Sequence, residues 1–175
     1  MSVVVRELGE SGAMLPLAAA VAVCEACEAL VSMRCEIKWP NDVWIEGRKL
    51  AGILVEARPS EGWAVVGIGL NVSTSDEEFP PELRDSATSL RAAVGEAPAV
   101  EAVLEALLPV LDRWLQMQPA EVVSELRARD ALRGKQLQWE GGSGVAAGID
   151  DSGALIVETP AGRQSLDAGE VHLHS

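Results

Sequence analysis

The chain has 175 residues, 48% of them hydrophobic, and a formal net charge of −13 from 14 basic and 27 acidic side chains. This is enough apolar surface for one ordinary domain or one domain with a small appendage, and it excludes global disorder. The acidic balance argues against a binder of nucleic-acid backbones, because such proteins attach through clustered Lys and Arg.

Val3–Arg6 is β-branched and predicts a short strand. No basic segment followed by an apolar one precedes it, so no secretory leader is expected. "SGAM" at 11–14 then breaks the chain, and Pro16 suits a first helical turn. Leu15, Ala18, Ala22, Val23, Ala26 and Leu30 recur at helical spacing and predict a helix running to Val31. Glu25 and Glu28 interrupt its apolar run, which on this reading falls short of the roughly 18 residues a bilayer span needs. The expectation is a cytoplasmic protein with no membrane partner. Cys24 and Cys27 form C-x-x-C inside this helix, with Cys35 just beyond it. The two histidines, His172 and His174, lie at the far end of the chain, so a zinc site is not expected. The cysteines read as buried thiols, behaving as small hydrophobes.

Glu36–Trp39 and Val43–Ile45 read as strand pieces around Pro40, and "EG" at 46–47 as a tight turn. Leu50–Ala57 and Trp63–Val72 are two strong strands around "PSEG"; their near-continuous apolar character predicts burial on both faces or a helix-covered sheet. Thr74–Leu90 is polar and reads as a loop with a short helix. Leu104, Leu107, Leu108, Leu111 and Leu115 form a helical stripe, and a second helix is expected from Ala120 to about Ala131. The pattern changes at Gly134. Short alternating runs separated by "GGSG", "DDSG" and "PAG" predict a small β-barrel of about five strands over 134–175. The expected organisation is therefore an α+β domain at 1–131, a mixed sheet backed by helices, followed by that barrel, with the boundary near Arg133.

Three stretches carry candidate chemistry. In "KWPND", Pro40 biases Trp39 to an extended conformation, and Asn41 and Asp42 follow at a strand margin. Asn and Asp there commonly just turn the chain by bonding their own backbone. In "GRKLAGILVE", Lys49 opens an apolar strand and Gly52 allows close approach to the backbone. A lysine at the mouth of a Gly-lined apolar slot can hold an anion, although strand-end lysines are usually solvated. In "VVGIGLNVS", Gly67 and Gly69 share one strand face and clear space on it, and Asn71 follows on that face with a donor and an acceptor side by side. The stretch is a poor dinucleotide fingerprint, because the third glycine is absent and "STSD" follows where a helix should start.

In this order and spacing, "KWPNDVWIEGRKLAGILVE" followed by "GIGLN" resembles the biotin protein ligases, and "LRGKQLQWEGG…GIDDSGALIVETPAGRQSLDAGEVHL" is similar to their C-terminal SH3-like domain. The resemblance implies an ATP-dependent ligase. It forms biotinyl-5′-AMP and passes biotin to a lysine of a biotin carboxyl carrier domain, with ATP and Mg²⁺ as co-substrate and ion and no tightly bound cofactor. It implies that Lys49 is catalytic and contacts biotin, and that Gly52, Leu54, Gly67 and Gly69 line the biotin slot. Lys38, Asn41 and Asp42 fall on the nucleotide side, Asp42 as the Mg²⁺ ligand, and Asn71 meets the adenine. The family's Gly/Arg-rich loop, G-R-G-R-x-G-R, precedes its equivalent of the first strand here and is not in this sequence. The expectation is a catalytic region lacking its N-terminal part, with that half or a homodimeric copy as partner. A ligase-like binding protein without catalysis is the alternative.

Overall fold

The computed structural model describes residues 1–6 and 10–173. Its N-terminal sheet has five strands: β1 Ser2–Arg6, β2 Glu36–Lys38, β3 Asp42–Ile45, β4 Arg48–Arg58 and β5 Trp63–Leu70. They lie in the order β1-β5-β4-β3-β2. All pairs of neighbouring strands are antiparallel; the parallel component of the expected mixed sheet is two isolated bridges, Ile37 with Asp130 and Lys49 with Ala87. The turn between β3 and β4 is the two-residue "EG", with Glu46 at φ 49° and Gly47 at φ 79°, the backbone a tight hairpin needs. The Trp39–Pro40 peptide is cis.

One face of this sheet is covered by α1, Leu15–Leu30. Small side chains let it press close: Ala19, Ala20, Ala22, Val23 and Cys24 are all fully buried. A helix apolar all round belongs in a core. The stretch Gly12–Leu30 is long and apolar enough by composition to cross a membrane, contrary to the sequence reading, yet 67% of it is buried inside the protein. Its acids are paired with other helices: Glu25 with Arg113 and the Trp114 indole, Glu28 with Arg129. Behind α1 pack α3, Val100–Leu115, and α4, Pro119–Ala128; a short α2 spans Leu90–Val94. The buried face of α3 is Val103, Leu107, Leu111 and Trp114, while Leu104 and Leu108 of the expected stripe are exposed. Helix α4 stops short of Ala131 because Arg129 and Ala131 bond the backbone of Ile37 in β2.

The opposite sheet face is open. Leu54 is 65% exposed and Val4 56%, so β4 and β5 are covered by helix on one side only. The C-terminal strands are β6 Gln136–Trp139, β7 Gly142–Ile149, β8 Leu155–Thr159, β9 Gly162–Leu166 and β10 His172–Leu173. They form one antiparallel sheet, β10-β6-β7-β8-β9, whose described pairing leaves β10 and β9 as ends. "GGSG" is not the expected loop: the turn is at 140–141 and Gly144 lies within β7, where a side chain would strike the backbone of Glu158. One apolar core runs through both parts, joining α1 to Leu137, Leu155, Val157 and Val171. The Trp39 indole donates to the carbonyl of Gly153 at 3.0 Å across the junction. The three cysteines are buried free thiols; burial holds Cys27 at about 12, and contact with Cys35 raises Cys24 too. Among the described residues no three His, Cys, Asp or Glu side chains gather to hold a metal; His172 is exposed and His174 lies outside the described residues.

Candidate functional site

The open face carries a cleft of about 450 Å³. Its floor is set by register. Gly67 pairs with Leu54, and Gly69 pairs with Gly52, which in turn pairs with Asp42, so these residues form two cross-strand rows on one face. A side chain at Gly69 would meet only the Gly52 carbonyl, at 3.9 Å, so the space above Gly69 is open. The cleft is thus an apolar shelf of glycines, Leu54 and Ile68, with Asn41, Asp42 and Lys49 at one end.

A second cleft of about 370 Å³ shares those three polar residues and continues past them to Lys38, Trp39 and Pro40. Its far wall is Gly169, Glu170 and Val171 of the C-terminal part, a contribution the sequence reading did not assign. Lys49 stands where the clefts meet. Its Nζ lies 2.6 Å from Asp42 Oδ1, with the Asp42 side chain 14% exposed and that of Lys49 46%. The Lys49 backbone is strapped on its outer side: its N–H donates to Ser86 and its carbonyl accepts from Thr88. Lys38 Nζ sits 5.6 Å from the centre of the Trp44 ring, within cation–π range.

The structure therefore brings eight of the nine sequence-derived residues to one face: Gly52, Leu54, Gly67 and Gly69 to the shelf, Lys38 to the second cleft, and Asn41, Asp42 and Lys49 to both. Asn41 also braces the fold, since its Nδ2 donates to the Ile53 carbonyl at 2.7 Å. Asn71 is set apart. It lies just past β5, lines neither cleft, and its Nδ2 donates to Thr88 at 3.0 Å. The 86–88 strap and the 169–171 wall were missed because neither has a motif of its own; each matters only through what it touches.

The arrangement can hold an apolar body on the shelf with its anionic end at Lys49, next to a second polar anion in the neighbouring cleft. Comparison with known proteins points the same way. Residues 1–73 match the biotin/lipoate A/B protein ligase family and residues 142–173 the biotin protein ligase C-terminal domain. The biotin–[acetyl-CoA-carboxylase] ligase of Paracoccus denitrificans is 35% identical, with 92% of this chain and 73% of that protein covered. The bifunctional ligase/repressor BirA of Bacillus subtilis is 34% identical over 91% of this chain but 52% of its own; the chain spans about half the length of such relatives. Biotin protein ligase from Aquifex aeolicus in complex with biotin and ATP superposes with a TM-score of 0.87 at 28% identity, over 99% of this chain and 76% of that one.

Proposed function

The chain belongs to the biotin protein ligase family, and from that membership we propose that it joins biotin to ATP and transfers the biotinyl group to a lysine of a biotin carboxyl carrier domain. The observation that carries the reading is Lys49, held by Asp42 at the meeting point of an apolar shelf and a polar cleft. Biotin's apolar rings lie on Gly52, Leu54, Gly67 and Gly69, with its carboxylate at Lys49. ATP lies along Lys38, Asn41 and Asp42; Asn71 lines neither cleft, so its contact with the adenine requires the base to extend beyond them.

In the first step a biotin carboxylate oxygen attacks the α-phosphorus, the bond to pyrophosphate breaks, and biotinyl-5′-AMP forms. Two anions must meet, and the fixed Lys49 ammonium lowers that repulsion in a site built before the reaction. Mg²⁺ brought with ATP needs only one or two protein carboxylates beside the phosphates. Asp42 fits that need through the oxygen not bonded to Lys49; the ion, when bound, neutralises polyphosphate charge. In the second step the unprotonated carrier amine attacks the acyl carbon, the bond to AMP breaks, and the amine's proton passes to water.

Nothing among the described residues covers the shelf over Leu54, so water reaches the place where the acyl phosphate forms. We expect slow turnover by the 175-residue chain, rising when a polypeptide closes this face. That polypeptide is the part of the longer relatives that the match does not span, or a second copy joined through the β1 edge. The test follows pyrophosphate release and labelled biotin on a carrier domain, with and without that part added. Release that depends on biotin and falls about 10²–10³-fold in Lys49→Ala supports the proposal. Biotin binding with no release in any preparation favours a ligase-like binding protein instead.

A further inference from the structure

Residues three apart in a regular strand point to opposite faces. Lys49 and Gly52 do not. Val43 pairs with Ala51 and Trp44 with Lys49, which leaves Leu50 as an extra residue opposite no partner. This is a β-bulge, a device that re-aims side chains beside functional sites. Its signature is also in the burial: Leu50 and Ala51 are both buried in succession, at 0% and 1% exposure, where alternation would bury one. The bulge brings Lys49 onto the face of Gly52 and Asp42. There the lysine lies back across Gly52, with its Cε and Nζ each 3.1 Å from where a side chain at position 52 would begin. The same imagined atom would be 3.6 Å from Asp42 Oδ1.

We propose that Gly52, together with the Leu50 bulge, is a positioning element that acts through Lys49: its missing side chain is the lane along which the ammonium reaches Asp42 and the anion site. It is distinct in this from Gly69, whose added side chain would find open space, and from Gly67, which faces the Leu54 carbonyl at 3.4 Å. A methyl at Gly69 narrows the shelf; a methyl at Gly52 displaces the lysine. Because the obstacle at Gly52 is the far end of a flexible side chain, Gly52→Ala keeps its fold. The inference rests on the ligase reading for its kinetic arm only.

The chain has three lysines, Lys38, Lys49 and Lys135, so protein labelled with ¹³C at lysine Cε yields three signals. Lys49→Met assigns the relevant one. In Gly52→Ala we expect that signal alone to move, toward its position in Asp42→Asn, with the melting temperature unchanged. Adenylate formation should then fall in kcat, on the order of 10²-fold, as misplacement of a reacting group by about 1 Å does. Gly69→Ala should instead leave the Lys49 signal in place and raise the KM for biotin. A Lys49 signal that stays put in Gly52→Ala, or that moves equally in Gly69→Ala, overturns the proposal. If the signals behave as expected while no preparation makes adenylate, the positioning role stands and the ligase reading fails.

Discussion

Glu28 and Arg129 meet beneath β2 in a two-point ion pair. Arg129 Nη1 lies 2.6 Å from Oε1 and Nη2 2.9 Å from Oε2, and the Cys35 amide adds a third bond to Oε1 at 2.8 Å. Burial alone would raise the Glu28 carboxyl, but the Arg129 bonds, the Cys35 amide and the nearby positive charge outweigh it and hold the group below the usual carboxylate range. A carboxyl depressed in the folded state adds stability that is fully present above its unfolded pKa and is lost as pH falls through the folded one. Glu28→Gln should therefore cost about 2 kcal/mol at pH 7. The gap to the parent should narrow once pH drops below the ordinary glutamate value of about 4.3, as urea titrations at several pH values will show. At this scale the sequence was informative about residue types. Lys49 beside Gly52, and Gly67 two before Gly69, declared a cation next to a cleared strand face. What it did not declare was the Lys49–Asp42 pair, because that contact depends on which residues of β3 lie opposite β4.

Elements were legible where one periodicity ruled, and not where a neighbour overrode it. The helix Leu15–Leu30 and the strands β4 and β5 follow from their own patterns. The end of α4 and the bulge at Leu50 are set by partner backbone, which no local window contains. β5 ends early for the same reason: the carbonyls of Asn71 and Val72 accept from Leu90 and Arg91 instead of continuing the ladder. Asn71 is thus a brace between β5, the bulge and the strap, since its N–H also donates to the Leu50 carbonyl. Asn71→Ala removes the side-chain bond to Thr88 and should cost about 1 kcal/mol. For a chain of this size that is a fall of roughly 2–4 °C in melting temperature, read by thermal denaturation without ligand. An unchanged melting temperature would leave the amide free of structural duty.

The two-part organisation, with its change of pattern at Gly134, was readable as a sequence of elements, but the single core was not. The apolar cluster passes from α1 into β7 and β8 through contacts distant in sequence. Gly153 sits at that seam with φ +86°, and a side chain there would lie 2.7 Å from Leu17 Cδ1 and 3.3 Å from Met14 Sδ. Gly153→Ala should cost about 1–3 kcal/mol through overpacking, and urea denaturation should shift as one transition; two separate transitions would mean that the parts unfold independently. The scarcity of lysine has a consequence for the whole surface. A biotinyl-adenylate that escapes is an acylating reagent, and any unprotonated amine it meets becomes labelled. This chain carries its positive charge on arginine almost throughout, three of 14 basic residues being lysine. Guanidinium stays protonated and is no nucleophile. Of the lysine amines, Lys49 is tied to Asp42, and Lys38 and Lys135 both sit about 6 Å from the centre of the Trp44 ring; the Met1 ammonium, on the shelf itself, donates to the Ile68 carbonyl at 2.9 Å. On the proposed ligase reading, a protein so built offers few lysines to its own adenylate, which leaves the activated group for the lysine of another molecule.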